Sequence, residues 1–383
     1  MTTHWLSADE AMARLGVRPQ TLYAYVSRGR ISAEADPVEP RRSRYKASDV
    51  TALTTRKARG RRAADVAEGA IAWGEPVLES SITTVADGRL YYRGHDAVRL
   101  AESETLESVA RLLRGGEGAP LAREMRDVSP ADGTARGRAF SALAARGAVD
   151  PPAAGRSTLE LAAEAATLLD VVADAVTGGV WIGPIHERLG HAWGCGAQGV
   201  DLLRRALVLL ADHELNASTF AARVTASTGA SLAAAALAGL SALSGPRHGG
   251  LFARVARWAE EADRLGPDEA VAARRAHRRP APGFGHPLYP DGDPRARALT
   301  GAFQVPAPLE ALRQAVEAAG GEHENVDFAL VALAQTLSLP DDAPFALFTV
   351  ARCAGWLAHA MEQVETGALI RPRARYVGAP PEA

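Results

Sequence analysis

The sequence predicts a mainly α-helical protein preceded by a small winged helix-turn-helix head. Three observations carry that expectation. Alanine and leucine dominate a chain that is 47% hydrophobic but only 5% aromatic, and both are strong helix formers. β-branched runs are scarce, so there is little from which to build sheet. Basic residues crowd the N-terminus: residues 1–62 hold 13 Arg and Lys against 6 Asp and Glu, leaving 30 against 39 in the remainder. The net charge of −2 therefore hides a basic head on an acidic body, and such a head is suited to a polyanion.

The head reads element by element. Ser7 and Glu10 have capping-box spacing, so a helix is expected from about Ala8, with Ala11 and Leu15 on one face. Gly16 ends it, because glycine supplies a left-handed turn. Pro19 suits the first position of a second helix through Thr21, Leu22, Tyr25 and Val26. Arg18, Gln20, Ser27 and Arg28 fall on its outer side, as phosphate or base contacts would. The basic run Arg41-Arg42-Ser43-Arg44-Tyr45-Lys46 follows a Pro37/Pro40 turn and suits a wing, and Ser48-Asp49-Val50 is expected to cap a further helix. This pattern resembles the winged-helix heads of excisionases and mercury-resistance-type regulators. The resemblance implies DNA contact through residues 1–62.

Residues 56–75 read as a basic, alanine-rich connector, with 63–75 as the linker between the head and residues 76–383, the body. Long helical patterns there include Leu202–Leu210 and Ser231–Leu243, and short strands are expected only near Arg89–Tyr92 and Arg375–Val377. Cys195 and Cys353 are too few for a disulfide framework and lack metal-ligand spacing. No secretory signal follows Met1, and no apolar run is long enough to span a bilayer, so a cytoplasmic protein with no membrane contact is expected.

Polar residues of the body gather in four loop-like islands: Asp212 to Phe220, Gly245 to Gly250, Gly283 to Arg295, and Asn325 to Phe328. Arg352 and Arg371 lie downstream. Each island has an ordinary reading on its own. His213 can cap a helix, Asp327 can be an N-cap, and Arg352 can pair with Glu362. Asp212-His213-Glu214 lacks the helical histidine spacing of a metal site, so no metal is expected.

Taken in order and spacing, with Tyr92-Arg93-Gly94 upstream, the islands resemble the citrate synthase family from about residue 76 to the C-terminus. The resemblance implies an all-helical body: a large domain carrying the histidine loops, and an inserted small domain at roughly 250–350 that closes over substrate. It implies condensation of acetyl-CoA with oxaloacetate and water to give citrate and CoA, with no cofactor. On it, Asp327 is the base, His248 donates to the thioester oxygen and His286 to the ketone oxygen. A helix N-terminus after Gly249-Gly250 is expected to hold the His248 pKa low. Arg295 and Arg352, assisted by His213, hold carboxylates, for which a planar guanidinium is well shaped. Arg371 matches an arginine that crosses to the partner subunit's site, so a homodimer is implied.

Several positions flanking these residues depart from the family pattern: Pro287-Leu288 and Pro290-Asp291 replace residues that are often basic, Leu251-Phe252 follows the glycine pair, and Ala329-Leu330 follows Phe328. They leave the acyl-CoA open. Propionyl-CoA, giving 2-methylcitrate, is one alternative, since one methylene changes discrimination modestly. A DNA-binding regulator that senses acyl-CoA or oxo acid on the same scaffold is the other.

Overall fold

The computed structural model describes residues 5–15, 17–27, 30–36, 39, 42–51, 78–116, 133–374 and 376–379. It divides into two compact units, Met1–Glu79 and Ser80–Ala383. The expected roles of Gly16, Arg28, Pro37, Pro40, Arg41 and the linker lie outside the described residues.

In the first unit, Ser7 and Glu10 cap each other. The Glu10 carboxylate accepts from Ser7 N at 2.8 Å, and Ser7 Oγ accepts from Glu10 N at 3.3 Å. The helix Ala8–Leu15 follows, then Pro19–Ser27. Both bury one face against Leu6, Ile31, Tyr45 and Val50. Three short antiparallel strands complete the unit, with Ser43–Lys46 between Trp5–Leu6 and Ala33–Ala35. Arg44 pairs with Glu34 across two of these strands and stacks over Trp5. The expected cap at Ser48 is corrected: residues 47–51 are already helical, and the Asp49 carboxylate instead accepts from Ser32 N at 3.0 Å.

The second unit opens with a hairpin meander, Thr83–Ala86, Arg89–Tyr92 and His95–Asp96. The strand expected near 375–377 is absent at Tyr376 and Val377, where no neighbouring strand offers a ladder; Arg375 is outside the described residues. Helices make up most of the rest, and their ends follow side-chain capping chemistry. Ser157 and Glu160 form a capping box for Thr158–Thr177, Asn216 caps Ala217–Ala226, and Ser231 caps Leu232–Leu243.

The helix Ala343–Thr366 is buried on nearly every face. It packs against Thr158–Thr177, Ala197–Leu210, Ala217–Ala226 and Leu232–Leu243. A second group of helices, Phe252–Leu265, Pro267–Ala276, Ala307–Ala318 and Val326–Thr336, pack on one another. Among the described residues, no helix is long and apolar enough to cross a membrane.

Candidate active site

Two loops are strapped together by backbone bonds. Gly285 N donates to His323 O at 2.8 Å, Asn325 N donates to Gly283 O at 2.8 Å, and Asn325 Nδ2 donates to Gly285 O at 3.0 Å. Gly285 has a φ of +74°, a conformation that L side chains rarely adopt, so glycine is favoured there. The strap sets His286 beside the start of the helix Val326–Thr336. Asn325, not Asp327, caps that helix, accepting from Asp327 N at 3.0 Å. The Asp327 carboxylate is thereby released from capping.

Asp327 is partly exposed. Burial of the rest of the group pushes its carboxyl up to about 7; the Arg295 charge opposes this, Asp293 adds to it, and Arg352 opposes it again. Asp293 is itself fully enclosed. Its carboxylate accepts from Arg295 Nε and Nη2 at 3.0 and 2.8 Å and from Val326 N at 3.1 Å, joining Arg295 to the helix that carries Asp327.

Around Arg295 the rings pack closely. Its guanidinium lies 5.5 Å from the centre of the Tyr289 ring. The Tyr289 hydroxyl meets His213 Nε2 at 2.9 Å, and the His213 ring stands edge-on to His286 at 5.0 Å. Burial drives the His213 pKa well down, helped by Arg295, Arg352, His286 and His248, so His213 is neutral. His286 is pushed down to about 4, by burial first and then by Arg295. Its Nδ1 accepts from Leu288 N at 3.2 Å. The single ring proton therefore sits on Nε2, which makes that atom a donor.

His248 is held from the other side. Its Nε2 meets Ser218 Oγ at 3.0 Å, and its ring stands edge-on to Phe348 at 5.9 Å. Trp356 Nε1 also donates to Ser218 Oγ, at 3.1 Å. Ser218 Oγ in turn donates its one proton to Asn216 Oδ1 at 2.7 Å, so in this arrangement it accepts from both Trp356 Nε1 and His248 Nε2. The His248 pKa falls to about 4. A helix does follow, after a short turn at Gly249–Leu251, but the dominant cause of the shift is burial and the second is Arg352.

Arg352 is 1% exposed. Its Nε donates to Leu210 O at 3.0 Å, its guanidinium lies over Phe348 at 4.7 Å, and Nη2 is buried without a partner. Burial lowers its pKa to about 10, with Asp212 opposing the shift. A buried cationic donor without an acceptor is costly unless an anion completes it. The anticipated Arg352–Glu362 pairing is not formed, since Glu362 holds Arg223 instead. Four residues of one helix face this region at helical spacing: Phe348, Arg352, Trp356 and His359.

The structure thus brings Asp327, His248, His286, His213, Arg295 and Arg352 around shared charges. Arg371 is not brought in: it is exposed on the segment after the last helix. Ser218, Tyr289, Asp293, Phe348 and Trp356 were not assigned roles from sequence. Asp293 carried a legible signal, since Asp-Pro begins a helix; the other contacts depend on folding distant segments together. The arrangement supplies one carboxyl that titrates near neutrality, imidazole donors and two buried guanidinium groups. That set suits abstraction of a weakly acidic proton beside a carbonyl, with a bound dianion as the second reactant.

The body of the chain is similar to known proteins. The family model for "Citrate synthase, C-terminal domain" matches residues 71–373. "Putative citrate synthase 2" of Mycobacterium bovis is 40% identical over 189 residues, 46% of this chain and 51% of that protein. "2-methylcitrate synthase 2" of Corynebacterium glutamicum is 35% identical over 187 residues, 45% of this chain and 48% of that protein. The chain spans about half the length of the curated relatives it matches. The crystal structure of citrate synthase from Thermotoga maritima superposes with a TM-score of 0.65 at 28% identity, covering 81% of this chain and 96% of that one. That from Thermoplasma acidophilum, solved with carboxymethyl coenzyme A and oxaloacetate, gives 0.67 at 23% identity over 80% and 95%, a likeness of fold.

Proposed function

The chain belongs to the citrate synthase family, and on that premise we propose that it condenses acetyl-CoA with oxaloacetate and water, giving citrate and CoA. Asp327 takes the α-proton of the thioester. His248 donates to the thioester oxygen as the enolate forms, through Nδ1–H once Ser218 turns its proton from Asn216 to Nε2. His286 Nε2–H polarises the ketone of the oxo acid, and the enolate carbon attacks that carbonyl. Arg295, Arg352 and His213 hold the oxo acid's carboxylates. Water then cleaves the resulting thioester, releasing CoA. No cofactor is required by this chemistry.

The observation that carries the reading is the buried, unpartnered Nη2 of Arg352 beside neutral histidines and a carboxyl titrating near 7. Domain organisation enters the same reading. Residues 1–62 form the head, 63–75 the linker and 76–383 the synthase body, in which roughly 250–350 act as a small domain that closes and excludes water. Arg371 crosses to the partner's site in a homodimer. The protein works in the cytoplasm.

The 35% identical 2-methylcitrate synthase makes propionyl-CoA the competing substrate. Steady-state CoA release with oxaloacetate separates the two. We expect kcat/KM for acetyl-CoA to exceed that for propionyl-CoA by about tenfold or more, on the scale that one methylene sets. The reverse order transfers the assignment to 2-methylcitrate synthesis, and release with neither acyl-CoA removes the reading.

A second reading concerns the head alone. Its net charge of +7 over residues 1–62 follows from the counts above. Arg18, Gln20 and Tyr23 are exposed or half-exposed along the helix Pro19–Ser27, with Arg44 on the following hairpin. We propose that this winged helix-turn-helix surface binds DNA, as a dimer on a two-fold site, and reports substrate occupancy of the body.

A further inference from the structure

A buried polar chain runs behind the site without touching the proposed substrates. Asp212 is fully buried. Its Oδ2 accepts from Thr83 Oγ1 at 2.5 Å and from His359 Nε2 at 3.1 Å. His359 Nδ1 accepts from Arg223 Nη1 at 3.2 Å. A guanidinium cannot accept a hydrogen bond, so Nδ1 is unprotonated and the ring proton lies on Nε2, facing Asp212. Arg223 pairs with Glu362 at 2.5 Å and donates to Gln363 at 2.9 Å. Glu362 in turn accepts from Ser81 N and Oγ.

The chain ends next to two groups of the site. Asp212 precedes His213 in sequence, and its charge is felt by Arg352. No direct ion pair joins Asp212 to Arg352 among the described residues. Arg295 spends Nε and one Nη2 proton on Asp293 and keeps the Nη1 side of its guanidinium for a ligand. Arg352 already spends Nε on Leu210 O, so a carboxylate that closed on its remaining nitrogens would compete with an incoming ligand. Thr83 and His359 hold the carboxylate by Oδ2, and Asp212 Oδ1 and Arg352 Nη2 are both left without a partner rather than bonded to each other.

We propose that His359 and Thr83 are positioning residues that hold the Asp212 carboxylate off Arg352, so that Asp212 balances the buried charge while the guanidinium remains available to a carboxylate of the oxo acid. The inference rests on the reading that Arg352 binds that acid. His359 does not touch substrate and acts through Asp212.

Three variants test it: His359→Phe, His359→Gln and Thr83→Val, with oxaloacetate binding measured by calorimetry beside steady-state turnover. Glutamine can both donate to Asp212 and accept from Arg223. We expect His359→Phe to raise Kd and KM for oxaloacetate about tenfold, the scale of one charge-assisted hydrogen bond, with KM for acyl-CoA unchanged. Thr83→Val should shift the same constants in the same direction by about threefold, on the scale of a weaker bond, and covers the case in which His359→Phe does not fold. His359→Gln should restore the wild-type constants to within about twofold. Unchanged oxaloacetate constants in a folded His359→Phe or Thr83→Val protein overturn the proposal, as does an equal rise in both substrates' KM. Wild-type protein that binds oxaloacetate without turnover removes the synthase reading alone, and Kd then decides this one. Wild-type protein that binds no oxaloacetate overturns both.

Discussion

At the scale of single residues, burial moves the titration of Asp327 up toward neutrality and those of the histidines down, away from it. Asp327 sits at the first turn of a helix, where a carboxylate is ordinarily stabilised. Burial wins over that and over two nearby arginines, and the group titrates near 7. Only the ionised form can take a proton. As pH falls through about 7 the base is progressively neutralised, so kcat/KM should fall by about tenfold per unit below that point and level off above it. A pH–rate profile flat from 5.5 to 8 contradicts the assignment. His248 and His286, both held to about 4, stay neutral donors across the same range and add no inflection there. The residue types of the site were legible in the sequence because all but Arg352 sit in a polar island. Their tautomers were not, since Ser218 and the Leu288 amide reach them only through the fold.

At the scale of elements, the helix Ala343–Thr366 organises the site. Phe348, Arg352, Trp356 and His359 form one stripe, touching respectively His248, Leu210, Ser218 and Asp212. The sequence concealed this stripe because the helix is buried almost all round. Without a solvent face there is no amphipathic signal to say which side its polar residues serve. Gly355 lets the loop before His213 approach this helix. Its N–H donates to Ala211 O at 3.0 Å, and a Cβ on it would lie 2.3 Å from Asp212 Oδ1 and 2.6 Å from Ala211 O. Backbone cannot yield cheaply, so Gly355→Ala should cost about 1–3 kcal/mol of stability, read by chemical denaturation. A variant as stable as wild type shows that the loop can retreat. Short elements were more legible than long ones where caps marked them: Ser7 with Glu10 and Pro19 located both head helices. The islands are only partly loop: Ala217 to Phe220 and Val326 to Phe328 are already helical, each after an Asn cap.

At the scale of the whole molecule, charge and chemistry are divided between two units. The first is small and basic, and the second carries every proposed catalytic residue. The family was legible from the order of the islands. Arg371 lies exposed, and the role proposed for it requires a second subunit. DNA binding by the head should be salt-dependent: a fluorescence-anisotropy titration is expected to lose affinity steeply between 50 and 200 mM salt, by roughly tenfold or more for a few phosphate contacts. No binding to any duplex at the lower salt removes that role and leaves the synthase reading intact. The claim on which the whole account turns is that Asp327 is the base in oxaloacetate-dependent condensation. The direct measurement is CoA release by folded Asp327→Asn protein beside wild type at pH 8, with acetyl-CoA and oxaloacetate both saturating. The account predicts a fall in kcat of at least about a hundredfold, the contribution of a positioned general base, with oxaloacetate still bound. Turnover equal to wild type contradicts it.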